Sequence, residues 1–221
     1  MPTQHIVKQG EHISSIAERY GFEDFKVIWD HPDNAELKKL RDNPHVLFPG
    51  DTISVLDKEP KTVDAATGKK HTFTIKLKKL KLRVKLLNLA ADPVKDTPCK
   101  VSVDNAAEKE LTTDGEGLVE QPIARNAKLA KLVVNDADYS MKIGFLNPIA
   151  EGDPVADDPA NTDTGWEQRL NNLGYVVPPA DDRDPDELRS AIEEFQCDHG
   201  MKAKGEKDAP TRSKLLQIHG S

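Results

Sequence analysis

The first 21 residues of the chain change from one periodic pattern to another. The stretch that begins at His5 predicts a β-strand. Gly10 then predicts a turn, and the apolar residues of 13–17 fall on one face of an amphipathic helix. Gly21 is the expected C′ residue, just past the end of that helix, because glycine adopts a left-handed backbone conformation without steric strain. The pattern predicts a strand followed by a helix.

The next part of the chain predicts further helices and a closing strand. Apolar residues at helical spacing predict a helix over 22–29, and Asn34 is a candidate N-cap for a short helix over 35–41. A turn is predicted over 49–51, after which alternation returns at 53–55. The two end strands would pair antiparallel under the helices, which gives a βααβ module.

The central part of the chain is a series of short alternating segments. From His71 the apolar positions alternate through 73–86, with one change of phase at residues 78–79. Further strands, separated by turn residues, are predicted over 99–103, 118–123, 129–134 and 139–145. Several short strands at this spacing predict a β-sandwich.

The end of the chain predicts three short helices. Apolar residues recur at helical spacing in three stretches, and each stretch begins with a capping signal. Thr164 with Glu167 and Asp184 with Glu187 have the spacing of capping boxes, and Asp208 is the expected N-cap of the last helix. The pattern predicts a small three-helix domain.

Together these elements predict a multidomain α+β protein. The predicted ranges are 1–57 for the βααβ module, 58–70 for a linker, 71–147 for the sandwich, 148–163 for a second linker and 164–221 for the three-helix domain. The chain has 221 residues, 15 prolines and only 5% aromatic residues, which favours small modules over one large core.

The N-terminus carries no apolar segment of the kind found in signal peptides. Pro2 to His5 lead directly into the first strand, and no run of about 18 apolar residues occurs elsewhere. The sequence therefore predicts a protein that is synthesised in the cytoplasm without a signal peptide and is not inserted into a membrane.

Charge is distributed unevenly, with a net charge of −7. Residues 1–57 carry 6 basic and 10 acidic residues, residues 58–150 carry 17 and 12, and residues 151–221 carry 8 and 16. The acidic balance disfavours nucleic acid as a partner. The basic residues that alternate with apolar ones over 76–85 predict the solvated face of an outer strand.

Both ends of the predicted βααβ module carry a recognisable motif. Val7 to Gly21 fit V-x-x-G-[DE]-x-[IL]-x-x-I-A-x-x-[YF]-G, and Leu47 to Val55 fit L-x-P-G-[DQ]-x-[IL]-x-[IV]. The module resembles a LysM domain, a family that binds glycans containing N-acetylglucosamine, such as peptidoglycan and chitin. The resemblance implies a shallow sugar groove between two loops, formed by Gly10, Glu11, His12 and Ile13 on one side and Leu47, Phe48, Pro49 and Gly50 on the other.

The module departs from the LysM pattern in two places. His12 stands where the family usually has Thr, and residues 29–34 replace a short Asn-Pro and are followed by an additional stretch over 35–43. Within the longer segment, Trp29 is more often a core residue than a sugar platform in so small a module. His31 could hydrogen-bond a glycan acetamide or the backbone of its own loop, and the second interpretation is favoured.

The sequences of the other two predicted domains also have a family likeness. The turn and strand pattern that begins at Pro93 resembles the transthyretin-like or carboxypeptidase-regulatory-like sandwich, which implies a spacer or adaptor. Residues 168–175, 188–200 and 205–215 resemble the type 1 peptidoglycan-binding domain. That resemblance implies a binding face near Tyr175, Gln196, His199 and Thr211. Gln196 has an alternative role as a tie between a helix and a loop.

The sequence contains no familiar catalytic or metal-binding motif. A nucleophile elbow, a P-loop, a dinucleotide fingerprint and HExxH are all missing, and the seven histidines are scattered. Cys99 and Cys197 have no Cys-x-x-Cys or Cys/His spacing and are expected to be reduced thiols rather than a disulfide or metal ligands. The sequence predicts no catalytic residues, no metal and no cofactor.

Two functions from different classes are compatible with these observations. The order of the modules resembles accessory proteins of type VI secretion and related contractile injection systems. The first hypothesis is a non-catalytic adaptor that binds peptidoglycan or a related glycan, associates with a secretion spike or an effector protein, and is delivered to the periplasm or outside by that system. The second hypothesis is a protein scaffold or effector-loading adaptor that uses the same folds without binding glycan.

Overall fold

The computed structural model describes residues 2–58, 62–72, 80–88, 90, 92–149, 163–179 and 182–220. These residues form a mixed α+β protein with six α-helices, two two-stranded sheets and one four-stranded sheet. Two sequence predictions fall largely outside the described residues, namely the first half of the strand over 73–86 and most of the linker over 148–163.

The chain divides into two compact units. The first unit contains Met1–His5, Gly10–Asn34 and Ile53–Gly144, and the second contains Ile6–Gln9, Ala35–Thr52 and Phe145–Ser221. The N-terminal segment therefore contributes to both units. This division does not follow the three domain ranges expected from the sequence, which stay a prediction.

The elements at the start of the chain follow the order expected from the sequence. They are β1 (Thr3–Ile6), α1 (Ile13–Arg19), α2 (Lys26–Trp29), a 3₁₀ turn (Pro32–Asn34), α3 (Ala35–Leu40) and β2 (Thr52–Val55). β1 and β2 form a two-stranded sheet. Gly21 has a φ of +74°, and its N–H donates to the Glu18 carbonyl at 2.8 Å, so the predicted end of α1 is confirmed.

Asn34 ties α2 to β2 instead of capping α3. Its amide nitrogen donates to the carbonyl oxygens of Ile28 at 2.9 Å and Ser54 at 2.8 Å, and its amide oxygen accepts from the Ser54 N–H at 2.8 Å. Both ends of the buried amide are thus engaged away from α3. The expectation of an N-cap at Asn34 was wrong because the side chain satisfies backbone groups that are distant in sequence.

The rest of the first unit contains two antiparallel sheets. The strands are β3 (Leu80–Lys85), β4 (Pro98–Val103), β5 (Lys109–Thr112), β6 (Leu118–Ile123), β7 (Leu129–Val134) and β8 (Ala137–Lys142). β3 pairs with β6, while the other four strands lie in the order β5-β4-β7-β8. Asn135 and Asp136 connect β7 to β8 with positive φ angles of 49° and 62°, the conformation of a type I′ hairpin turn.

Both sheets contribute side chains to one apolar cluster. Its buried members are Cys99, Val101, Val119, Leu132 and Val134, which come from β4, β6 and β7. The apolar side chains of β3 pack against the same cluster. The two sheets thus share one core, and the β-sandwich stays a prediction.

In the second unit, a buried ion pair fixes the turn before β2. The guanidinium of Arg41 donates to both carboxylate oxygens of Asp51, at 2.9 and 2.8 Å, and Arg41 is only 1% exposed. The same carboxylate accepts from the N–H of Phe48 at 2.8 Å. A bidentate pair of this kind holds both partners in one orientation.

Three helices build the main core of the second unit. They are α4 (Thr164–Asn172), α5 (Pro185–Asp198) and α6 (Ala209–His219), and α4 packs against the other two. Their apolar faces meet in a cluster whose largest member is Trp166 and which includes Leu170, Phe195 and Leu215.

Two of the three predicted helix caps are confirmed, and one was wrong. Asp184 accepts from the Asp186 N–H at 3.0 Å, and Asp208 accepts from the Thr211 N–H at 2.9 Å. The first helix, however, begins at Thr164 itself, so that residue is not the cap. Glu167 is instead engaged by the guanidinium of Arg183, a partner that the local spacing does not reveal.

Gln196 ties α5 to the loop before α6. Its amide oxygen accepts from the N–H groups of Lys204 at 2.7 Å and Gly205 at 3.0 Å, and its amide nitrogen donates to Thr211 Oγ1 at 2.8 Å. Gln196 is 1% exposed, and Thr211 is fully buried. One side chain therefore fixes both the loop and the first turn of α6.

Replacing Gln196 with alanine is expected to lower the free energy of unfolding by about 2–3 kcal/mol, because the hydrogen bonds of its buried amide to Lys204, Gly205 and Thr211 are lost. Urea denaturation, followed by the fluorescence of Trp166 in the same unit, measures the change. Gln217→Ala on the exposed surface of α6 is the matched control. An equal loss of unfolding free energy in the two variants would contradict the role of Gln196 in fixing the loop.

His219 predicts a dependence of stability on pH. Burial, together with the charge of Arg169, lowers the pKa of His219 to about 4, and its Nε2 lies 3.0 Å from the amide nitrogen of Asn172. The ring is therefore neutral in the folded protein, whereas in the unfolded chain it takes up a proton near pH 6.5. Its contribution to stability is present above pH 6.5 and is lost as the pH falls towards 4.

His219→Gln is expected to remove about 1–2 kcal/mol of the acid-induced loss of stability, after allowance for the partial exposure of the ring. Thermal melting of wild type and variant at pH 7.5 and pH 4.5 measures this, because the contributions of His45 and His199 are common to both proteins. If the difference in melting temperature between wild type and variant is the same at both pH values, His219 is not the source of the pH dependence.

Candidate functional site

The residues expected on the first side of the glycan groove are buried. Glu11 and His12 are each 5% exposed and Ile13 is fully buried. Glu11 is held between a histidine and an arginine, with one carboxylate oxygen 2.8 Å from His5 Nε2 and the other 2.5 Å from a guanidinium nitrogen of Arg19. Its carboxylate is thus used within the protein.

Gly10 lies in the turn before α1 with a φ of +80°. Its carbonyl oxygen accepts a hydrogen bond of 2.5 Å from Lys128 Nζ, which belongs to the connection between β6 and β7. The backbone of this loop is therefore contacted by the central strands of the first unit.

The residues expected on the second side of the groove, which belong to the second unit, are progressively more accessible. Leu47 is buried, Phe48 and Pro49 are half-buried, and Gly50 is exposed with a φ of +106°. The ion pair of Asp51 described above fixes this turn. Phe48 is consequently the one aromatic side chain of the predicted groove that is partly accessible in the structure.

Trp29 and His31, the two aromatic residues considered as sugar contacts in residues 29–34, have structural roles. Trp29 is 6% exposed, in agreement with the interpretation as a core residue. His31 accepts from the N–H of Asp33 through Nδ1 at 3.3 Å, so the ring bonds to its own loop. This is the role that the sequence favoured for His31.

Four residues of the second unit form a patch that we call the Tyr175 patch: the half-buried Tyr175 and His199, the exposed Asp198 and the buried Phe195. The ring of Tyr175 meets the buried ring of Phe195 edge-on at 5.6 Å, and the ring of His199 lies 4.5 Å from the same ring. The Tyr175 hydroxyl donates to a carboxylate oxygen of Asp198 at 3.0 Å.

The local backbone explains how the Tyr175 patch is assembled. Gly174, with a φ of +95°, ends α4 and lets the N–H of Tyr175 bond to the Leu170 carbonyl at 3.0 Å. The chain then leaves the helix, and Val176 next to the patch is 80% exposed. The other three residues lie in the last turn of α5 and at its C-cap.

Burial and neighbouring charges keep the rings of Tyr175 and His199 uncharged near neutral pH. Burial, followed by the hydrogen bond to Asp198 and the charges of Asp198 and Glu194, raises the pKa of Tyr175 to about 12. Burial, reinforced by Lys214 and opposed by Asp198, lowers the pKa of His199. The patch therefore offers neutral rings beside a carboxylate acceptor.

Such a surface suits a sugar ring. A pyranose presents C–H groups on its faces and hydroxyl or acetamide groups at its edge. A half-exposed aromatic ring can cover the C–H groups, while a carboxylate and an imidazole at its rim accept or donate hydrogen bonds.

The structure separates the four residues that the sequence assigned to this face. Tyr175 and His199 come together on the surface through their contacts with Phe195. Gln196 and Thr211 are buried and hydrogen-bonded to each other, which favours the alternative role of Gln196 as a tie between a helix and a loop.

Sequence reasoning did not identify Asp198, which orients the Tyr175 hydroxyl. The signal available in the sequence is its position three residues after Phe195, which places both on one face of α5. It also missed Arg41 and Arg125, which are buried although arginines usually lie on the surface. No local pattern marks either arginine.

Within the part of the chain that the structure describes, three or more His, Cys, Asp or Glu residues do not come together as a metal site. Cys99 is buried and Cys197 is exposed, and both are free thiols. None of the described helices is long and apolar enough to cross a membrane.

Comparison with known proteins gives a family match that runs from within α4 to within α6. Residues 166–215 match the family described as "Putative peptidoglycan binding domain". No curated protein and no solved structure matches the chain. The matched range contains the whole Tyr175 patch, so α4 to α6 are the part of this chain that is similar to a peptidoglycan-binding domain.

Proposed function

We propose that the protein binds peptidoglycan without cleaving it, and that the Tyr175 patch is the contact surface. The observation that carries this proposal is a half-exposed tyrosine, held over Phe195 and oriented by Asp198, inside a range that matches a peptidoglycan-binding family. Peptidoglycan supplies the amino-sugar rings that such a surface fits.

The buried carboxylates support a role in binding rather than catalysis. Among the residues that the structure describes, those of Glu11, Asp51 and Glu167 are buried, and each lies against a cation of its own unit. A glycosidase instead needs two carboxyl groups facing each other across a cleft, one of which holds a proton at neutral pH.

The LysM resemblance of the first 57 residues supports a second, weaker glycan contact at Phe48 and Pro49. Two weak contacts on one chain increase the overall affinity when both can reach the same wall. The resemblance to accessory proteins of contractile injection systems supports a role as an adaptor that travels with a spike or effector protein.

A second candidate function is a protein scaffold that binds no glycan. The burial of Glu11, His12 and Ile13 favours it, because those residues do not present side chains to a sugar. The two candidates differ in whether isolated sacculi retain the protein.

Tyr175→Ala is expected to weaken binding to purified sacculi by about three- to tenfold, because the ring that covers the sugar face is lost. Cosedimentation at increasing sacculus concentration measures the apparent Kd. Tyr175→Phe keeps the packing on Phe195 and tests the hydroxyl separately. Tyr139→Ala removes a tyrosine that is 51% exposed on β8 and is the matched control.

Thermal melting of each variant shows whether the domain is folded. Unchanged cosedimentation of a folded Tyr175→Ala variant would exclude the patch as the contact surface, and failure of the wild type to sediment would favour the scaffold. A steady turbidity of sacculi during long incubation is the expected sign of binding without cleavage.

A further inference from the structure

Within the first unit, the connection between β6 and β7 reaches the backbone on both sides of α1. Arg125 in this connection is 8% exposed, and two of its guanidinium nitrogens donate to the carbonyl oxygens of Phe22 at 3.2 Å and Glu23 at 2.5 Å. A buried guanidinium needs acceptors for its N–H groups, and these carbonyls provide them. Arg125 therefore fastens the end of α1 to the central strands.

The loop before α1 is contacted at two further points. Lys128 Nζ donates to the carbonyl oxygen of Gly10 at 2.5 Å. Gly144, which follows β8 with a φ of +80°, lies so close that a Cβ atom there would be 3.0 Å from the Gly10 oxygen and 3.2 Å from His12 Cδ2. Only glycine allows this approach without displacing the loop.

The contacting residues are fixed independently of the loop. The carboxylate of Asp104 accepts from the N–H groups of Lys128 at 2.9 Å and Leu129 at 3.0 Å. The N–H of Ile143 donates to the Lys128 carbonyl at 2.8 Å, which joins Lys128 to the segment that carries Gly144. The surface that receives the loop is thus preformed.

We infer that Arg125, Lys128 and Gly144 form an intramolecular dock that closes over residues 10–13, so that any ligand of this loop competes with the dock. Closure places Lys128 on the Gly10 carbonyl and Gly144 against Gly10 and His12, and it leaves this part of the loop accessible only in an open state. The apparent affinity of the loop for a ligand then falls in proportion to the fraction of molecules that are open. That the ligand is a glycan rests on the LysM resemblance that the proposed function uses, whereas the dock itself does not.

Hydrogen exchange on the full chain tests the dock directly. The variants are Arg125→Ala, Lys128→Ala and the double variant. Lys131→Ala is the matched control, because Lys131 lies on β7 and pairs with Asp138 on the surface at 2.9 Å. Exchange in peptides spanning 9–16 and 21–24 is expected to become about tenfold faster in the double variant, because hydrogen bonds from charged groups are lost.

Arg125→Ala should have the larger effect of the two single changes, because Lys128 is exposed to solvent. Exchange over α5, in the other unit, should not change. The inference is overturned if the two peptides exchange at the wild-type rate, or if exchange accelerates throughout the first unit, since that would indicate general destabilisation rather than release of the loop.

A titration with soluble N-acetylglucosamine hexamer tests the competition. The double variant should bind the hexamer about tenfold more tightly than the wild type and the Lys131→Ala protein, by the same factor as the exchange rate. If hydrogen exchange shows that the loop is released but the affinity for the hexamer does not increase, the ligand does not compete with the dock. The exchange result does not depend on sugar binding, and Tyr175 is intact in all these variants, so failure of this inference is distinct from failure of the proposed function.

Discussion

Buried polar side chains hold the loops of this protein, and the rest of the structure depends on them. Small helical and β-rich cores bury too little apolar surface to fix long connections by packing alone. Here Asn34, the pair of Arg41 with Asp51, and Gln196 each satisfy backbone or side-chain groups distant in sequence. These four side chains are themselves buried, so their partners determine one conformation of the loop. The turns next to the candidate binding surfaces are set by these few interactions.

The Tyr175 patch illustrates how a surface can follow from such constraints. Gly174 ends one helix and Asp198 ends another, so two chain segments that are otherwise unrelated place Tyr175 over Phe195. The ring is held by packing on one side and by a hydrogen bond at its hydroxyl. A contact surface oriented in this way loses little conformational freedom when a ligand arrives, which favours binding.

The sequence predicted elements whose signals are local. The end of α1 at Gly21 and the caps at Asp184 and Asp208 were found because a cap depends on residues within one turn of helix. The roles of Asn34 and Glu167 were not found, because their partners lie in other elements and no spacing along the chain marks them. For the same reason the contacts made on Gly10 and His12 by Lys128 and Gly144, more than a hundred residues away, could not be predicted.

The N-terminal segment alternates between the two compact units, with residues 6–9 and 35–52 in one and residues 10–34 and 53–58 in the other. A protease cut or a fragment boundary placed after residue 57 would therefore remove chain from both units at once. Neither remaining part would keep all the contacts it has in the whole protein. The segment that the sequence predicts to be a separate module thus contributes residues to both units.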